Sequence, residues 1–140
     1  MSKILVYTDG GSRGNPGQSA LGVYIVNEKK EKLFSTGKRL GHTTNNVAEY
    51  SAILEAFFWL MENKSNFSLD TEIYFYMDSL LAYSQLVGLF KIKNAVLRDI
   101  LFEIRKKEQE LGLKITYAHI RREQNKKADE MVNLALDNKL

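Results

Sequence analysis

The hydrophobic period of this chain first changes near residue 45, and that change restricts the fold more than any other feature. Before it, apolar and β-branched residues come in short runs separated by turn residues. Residues 3–9 read KILVYTD, which is strand-like. Residues 10–19, GGSRGNPGQS, read as a glycine-rich loop. Residues 21–27 and 33–39 read as two further strands around a charged turn, EKKEK. Turns this short favour an antiparallel meander. After the change, residues 46–62 contain no Gly or Pro and are apolar on most faces, which predicts a buried helix. Thr44, Asn45 and Asn46 are capping residue types at its start, and Glu49 is expected in its first turn.

The remaining segments alternate. Residues 72–78, EIYFYMD, predict a fourth strand and residues 79–86 a short helix. Ala95–Leu111 shows helical spacing through Leu97, Ile100, Leu101 and Ile104, and Gly112 ends it. Tyr83, Leu86 and Phe90 read as a core face in preference to an exposed apolar patch. Residues 114–120 predict a fifth strand. A polar loop, RREQN, precedes a helix with Ala128, Met131, Val132, Ala135 and Leu136 on one face. The expected class is α/β, a five-stranded mixed sheet in the order β-β-β-α-β-α-α-β-α with helices on both faces, forming a single domain over residues 1–140. Crossovers that contain helices make the first, fourth and fifth strands parallel. The first strand then lies between the meander and the fourth strand, a switch point whose strand carboxyl ends favour ligands.

Composition excludes several chemistries. The chain has no Cys, so disulfides, thiolate-held metals and thiol nucleophiles are absent. With 44% apolar residues it can bury a core. The balance of 20 basic and 17 acidic residues, +3, is only a mild pull toward polyanions. No run is long enough for a signal peptide or a membrane span, and the expectation is a cytoplasmic monomer.

The acids carry the functional signal. Asp9 and Asp78 each end a strand-like run, VYTD and FYMD. Glu49 and Asp129 each open a helix. Singly, each has an ordinary role as a turn starter or helix-start acid. Jointly, the topology brings all four to one edge of the sheet. Clustered carboxylates persist where a cation neutralises them or where some are protonated. Oxygen ligands without His or Cys suit Mg²⁺ or Mn²⁺, and a pair of such ions serves phosphoryl transfer or phosphodiester hydrolysis. The glycine-rich segment is not a phosphate-binding loop, because it lacks a GK[ST] ending and leads to a strand.

The motifs YTDGGSRGNPG, TTNNVAEYSAI, YMDS and HIRREQNKKADEMVNLA, in that order, resemble the type 1 ribonuclease H family along nearly the whole chain. The resemblance implies cleavage of the RNA strand of RNA–DNA hybrids with two Mg²⁺ or Mn²⁺ ions, leaving 5′-phosphate and 3′-hydroxyl ends. It assigns the metal-binding and catalytic acids to Asp9, Glu49, Asp78 and Asp129. It gives His119 a role in proton transfer or product release, for which an imidazole is suited. Asn45 and Asn46 match positions that touch the hybrid's minor groove, where an amide can both donate to and accept from a 2′-hydroxyl. Asn15 is a further candidate on the RNA strand. Thr44 and Asn94 resemble a pocket for a phosphate of the DNA strand. His42 is left unassigned.

The sequence departs from the best-known bacterial members at residues 86–96, LVGLFKIKNAV, which are too short for their basic protrusion. It is closer to a compact subgroup. Lys91, Lys93, Arg121 and Arg122 could supply phosphate contacts instead, and Lys126 and Lys127, beside Asp129, are the favoured pair. Double-stranded RNA is an alternative substrate, and a catalytically silent hybrid-binding module is another reading.

Overall fold

The computed structural model describes residues 2–140. Three long strands, β1 (Lys3–Arg13), β2 (Gly17–Asn27) and β3 (Lys32–Thr43), form the meander. Helix α1 (Asn45–Glu62) follows, then β4 (Glu72–Met77), α2 (Leu80–Leu86), α3 (Ala95–Leu111), β5 (Lys114–His119) and α4 (Lys126–Leu136). Short 3₁₀ turns occupy Lys64–Asn66 and Arg122–Gln124. The sheet order is β3-β2-β1-β4-β5. Strands β1, β4 and β5 are parallel, whereas β2 pairs antiparallel with β1 and with β3. The expected topology is the observed one.

Strand alternation divides the core. Ile4 and Val6 of β1, Val23 and Ile25 of β2, and Ile73, Phe75 and Met77 of β4 are buried on one face. Helix α1 covers that face with Ile53, Phe57 and Leu60, and α3 packs beside it through Ile104 and Leu111. Phe57 stacks on Phe75 with centroids 4.8 Å apart. Helix α4 takes the opposite face, against β1, β2 and β3. Gly112 has φ +66°, a left-handed cap at the predicted end of α3, where a residue without Cβ is at little cost.

The structure corrects the reading of residues 10–19. They are not a loop: β1 runs on to Arg13 and β2 begins at Gly17, leaving a tight turn between. Gly10 and Gly11 answer a packing demand against helices, whereas Gly14, with φ +88°, serves the turn itself. A Cβ on Gly10 would lie 2.2 Å from the backbone of Ala48 and Glu49, so α1 rests directly on β1 there. Gly22 and Gly37 do the same for α4, since their Cβ atoms would lie 2.2 Å from the Ala128 carbonyl oxygen and 2.3 Å from that of Met131.

Two smaller differences follow. Glu49 stands in the second turn of α1, because Thr44 is the N-cap and the helix starts at Asn45. Of the proposed core face, Leu86 is buried but Phe90 is 55% exposed, because α2 ends at Leu86 and Phe90 lies in the following loop.

Gly22→Ala should therefore lower the unfolding free energy by about 1–3 kcal/mol, the usual cost of overpacking. Denaturant unfolding measures this, and an unchanged midpoint would mean that α4 is not seated on β2 as described.

Candidate active site

Asp9 does not end its strand; it lies within β1. It is nonetheless at an edge. The pairing of β1 with β4 stops at Tyr7–Tyr76, while β1 continues against β2. Asp78 follows the last residue of β4, so both carboxylates stand where β4 leaves the sheet. The close approach at Gly10 sets Glu49 against them. Carboxylate oxygens of Asp9, Glu49 and Asp78 all lie within 4.8 Å of one another. Asp9 and Glu49 are each only 7% exposed, and Asp78 is half-buried. Asp129 enters from α4 close enough to hydrogen-bond the carboxyl of Asp9, but it stands outside that tight trio. The Asn133 amide donates to its Oδ2 at 3.4 Å. All four acids line an open cleft of about 500 Å³ that also includes Asn45, Asn46, Ser79, Arg122 and Asn133.

Burial raises the pKa of Asp9 to about 8, with repulsion from Asp78 and Asp129 adding to it. Burial likewise raises that of Glu49 well above the carboxylate range, helped by Asp9 and Asp78. A hydrogen bond from the Gly10 backbone opposes both shifts without cancelling them. Protons thus hold the cluster together near neutral pH, which is one of the two ways that clustered acids persist. The other is a hard divalent cation, and an all-oxygen trio of this spacing at the mouth of a cleft fits one.

The other predicted residues fall into groups. Asn45 and Asn46 line the cleft. Asn15 is engaged locally, its Oδ1 accepting from the Asn45 backbone N–H at 3.0 Å, which ties the β1–β2 turn to the start of α1. Thr44 caps α1 by accepting from Val47 N–H at 3.2 Å, and Asn94 caps α3 by accepting from Leu97 N–H at 3.1 Å. Neither lines the carboxylate cleft. His119 closes β5, exposed, with Nε2 3.3 Å from the backbone carbonyl oxygen of Asp78. Lys126 and Lys127 line a different groove, with Tyr7 and Tyr24.

Asn125 is the residue that sequence reasoning missed. It was read as part of a polar loop, yet it is buried. Its amide donates to the Thr8 carbonyl at 2.9 Å and to Asp78 Oδ2 at 3.2 Å. One side chain thereby fixes the orientation of Asp78 and pins the start of α4 to β1. The available signal was its spacing, one helical turn before Asp129.

Sheet order, carboxylate trio and helix seating together define a ribonuclease H-like protein. The RNase H family model matches residues 1–137, and the chain belongs to that family. Within it, this is a type 1 member. It is 34% identical over 136 residues to the ribonuclease HI of Halobacterium salinarum, covering 96% of this chain and 65% of that protein. It is 29% identical to the bifunctional protein Rv2228c of Mycobacterium tuberculosis over 136 residues, covering 96% of this chain but only 36% of that one. The chain thus spans from about a third to two thirds of these curated relatives. Among solved structures, LC11-RNase H1 isolated from compost superposes with a TM-score of 0.92 at 40% identity, covering 99% of this chain and 98% of that one. LC11-RNase H1 in complex with an RNA/DNA hybrid gives a TM-score of 0.87 at 38% identity, covering 96% and 97% respectively. No helix among the described residues is long and apolar enough to cross a membrane.

Two outcomes are expected of the metal-free protein. Asp9 binds its proton more tightly folded than unfolded, with a pKa of about 8 against an ordinary 3.8. Its contribution to stability is therefore full below 3.8 and is lost as pH rises through about 8. Thermal unfolding in chelator should show stability falling across that window, and Asp9→Asn should flatten the fall and exceed the wild type in Tm at the alkaline end. A wild-type curve that is flat or rises there would contradict the cluster. Separately, Asn125→Ala should cost about 1–3 kcal/mol in denaturant unfolding, since it leaves the buried Thr8 carbonyl without its donor. A loss within error would show that Asn125 does not carry that contact.

Proposed function

We propose that this chain is an endoribonuclease that hydrolyses the RNA strand of RNA–DNA hybrids, with residues 1–140 acting as one ribonuclease H domain. The observation that carries the proposal is the trio of Asp9, Glu49 and Asp78 at the mouth of a cleft that also presents Asn45 and Asn46. Family membership and the hybrid-bound relative support the substrate class.

Asp9, Glu49 and Asp78, with Asp129 beside them, would hold two Mg²⁺ or Mn²⁺ ions. When bound, such ions neutralise the acids and stabilise the charge that builds on a phosphodiester during in-line displacement. The protein's own part is positional. Gly10 keeps Glu49 against Asp9, and Asn125 holds Asp78. Asn45 and Asn46, at the start of α1, offer amides to 2′-hydroxyls in the minor groove, which distinguishes RNA from DNA. Arg122 lines the cleft and places a cation beside the backbone phosphates. Hydrolysis joins a water oxygen to phosphorus and breaks the P–O3′ bond, leaving 5′-phosphate and 3′-hydroxyl ends. The departing 3′ oxygen takes a proton, and His119, next to the Asp78 carbonyl, is placed to exchange protons at the cleft edge.

The test incubates the protein with end-labelled RNA–DNA hybrid, RNA duplex and DNA duplex, each with Mg²⁺ or Mn²⁺. RNA within the hybrid should be cut, and Asp9→Asn should lower the rate on the order of 10²–10³-fold or more. Cutting of RNA duplex at an equal rate would move the substrate to double-stranded RNA. Hybrid binding without cleavage by the wild type would leave a binding module and sink the enzyme.

A further inference from the structure

The sheet face that carries α4 is only partly covered. Helix α4 lies on β1, β2 and β3 around Gly22 and Gly37. On the same face, two residues beyond Gly22 on β2, Tyr24 stands opposite Tyr7 of β1, and Tyr76 flanks Tyr7 on β4. All three rings are only partly buried. Their partners on the other face, Val6, Ile25 and Phe75, are fully buried. Tyr7 stacks on Tyr76 with centroids 5.1 Å apart, whereas Tyr7 and Tyr24 splay at 53° with centroids 6.5 Å apart. Between these splayed rings and the start of α4 lies a groove of about 270 Å³. Its walls carry three cations, Lys30 from the β2–β3 turn and Lys126 and Lys127 from α4, against one acid, Glu123. Gln124 and Val26 complete it.

This groove is separate from the carboxylate cleft, with which it shares no lining residue. Its composition is that of a site for a charged, stackable polymer. Aromatic faces accept any base, and lysines on the rim accept phosphates. A protein partner would be expected to meet a larger apolar anchor and fewer unpaired cations. None of the three lysines makes an ion pair among the described residues.

We propose that the groove between Tyr7, Tyr24 and the start of α4 binds single-stranded nucleic acid, with a base against the tyrosine rings and phosphates against Lys30, Lys126 and Lys127. Helix α4 carries Asp129 toward the cleft and these two lysines toward the groove. A single strand held there would approach α4 from the side away from the carboxylate cleft, as an overhang or a displaced strand could. The inference does not depend on cleavage and is tested without it.

Fluorescence anisotropy of a labelled oligothymidylate, with full-length protein in chelator, reads the binding directly. Binding should weaken as salt rises. Tyr24→Leu should weaken it about 10-fold, within the range for loss of one stacked base, and Tyr24→Phe should retain it. Lys30→Gln, on an exposed turn, tests the site without touching the sheet and should lower the salt slope by about 0.7. Blunt RNA–DNA hybrid in excess should not displace the oligonucleotide. No binding by the wild type at low salt would overturn the proposal. So would full affinity in both Tyr24→Leu and Lys30→Gln, or displacement by the hybrid. Concentration-dependent dimerisation lost in Tyr24→Leu would assign the face to a second copy instead.

Discussion

Everything at the centre of this molecule depends on helix backbones lying directly on strands. A helix normally stands off a sheet by the length of its side chains. Here α1 meets β1 at Gly10, and α4 meets β2 and β3 at Gly22 and Gly37, with no room for a Cβ. The first contact sets the distance between Glu49 and Asp9. The other two set how far Asp129 reaches toward them. Repulsion among the acids pushes these elements apart, and burial of α1 and α4 on opposite faces of the sheet pushes them together. The raised pKa of Asp9 comes first from that burial and then from repulsion by Asp78 and Asp129.

The cleft itself comes from unequal strand lengths. Strand β1 has 11 residues and β4 has 6, and they start in register. Beyond Tyr7, β1 keeps its β2 partner and loses β4. Asp9 is thus presented from a paired, rigid strand beside open space. Asp78 follows as the chain turns away into α2, and Asn125 crosses from the α4 side to hold it. A rigid strand bears one carboxylate and a hydrogen bond orients the next, so little of the geometry is left to loops.

Much of this was legible in the sequence, for identifiable reasons. The order of elements followed from the switch in hydrophobic period near residue 45, and parallel pairing followed from helical crossovers. The C-terminal end of α3 was readable because Gly112 is a residue type with a local conformational role, whereas the capping role of Asn94 at its start emerged only in the structure. What failed were features decided by distant contacts. Gly10 and Gly11 look like a loop because their reason lies in α1 and α4, segments far away in the chain. Asn125 looks like any polar loop residue until Thr8 and Asp78 are beside it. Lys126 and Lys127 neighbour Asp129 in sequence, yet they face another groove, because adjacent helical residues point in different directions.

Asp9, Glu49 and Asp129 sit on β1, α1 and α4, and Asp78 immediately follows β4, so the four acids are spread over most of the chain. No fragment short of α4 contains the whole set, and no local structure can hold even two of them together. Assembly of the site is therefore simultaneous with completion of the tertiary fold. A nascent or partly unfolded chain would carry these carboxylates scattered and solvated, so the cluster and its raised pKa values exist only in the completed fold.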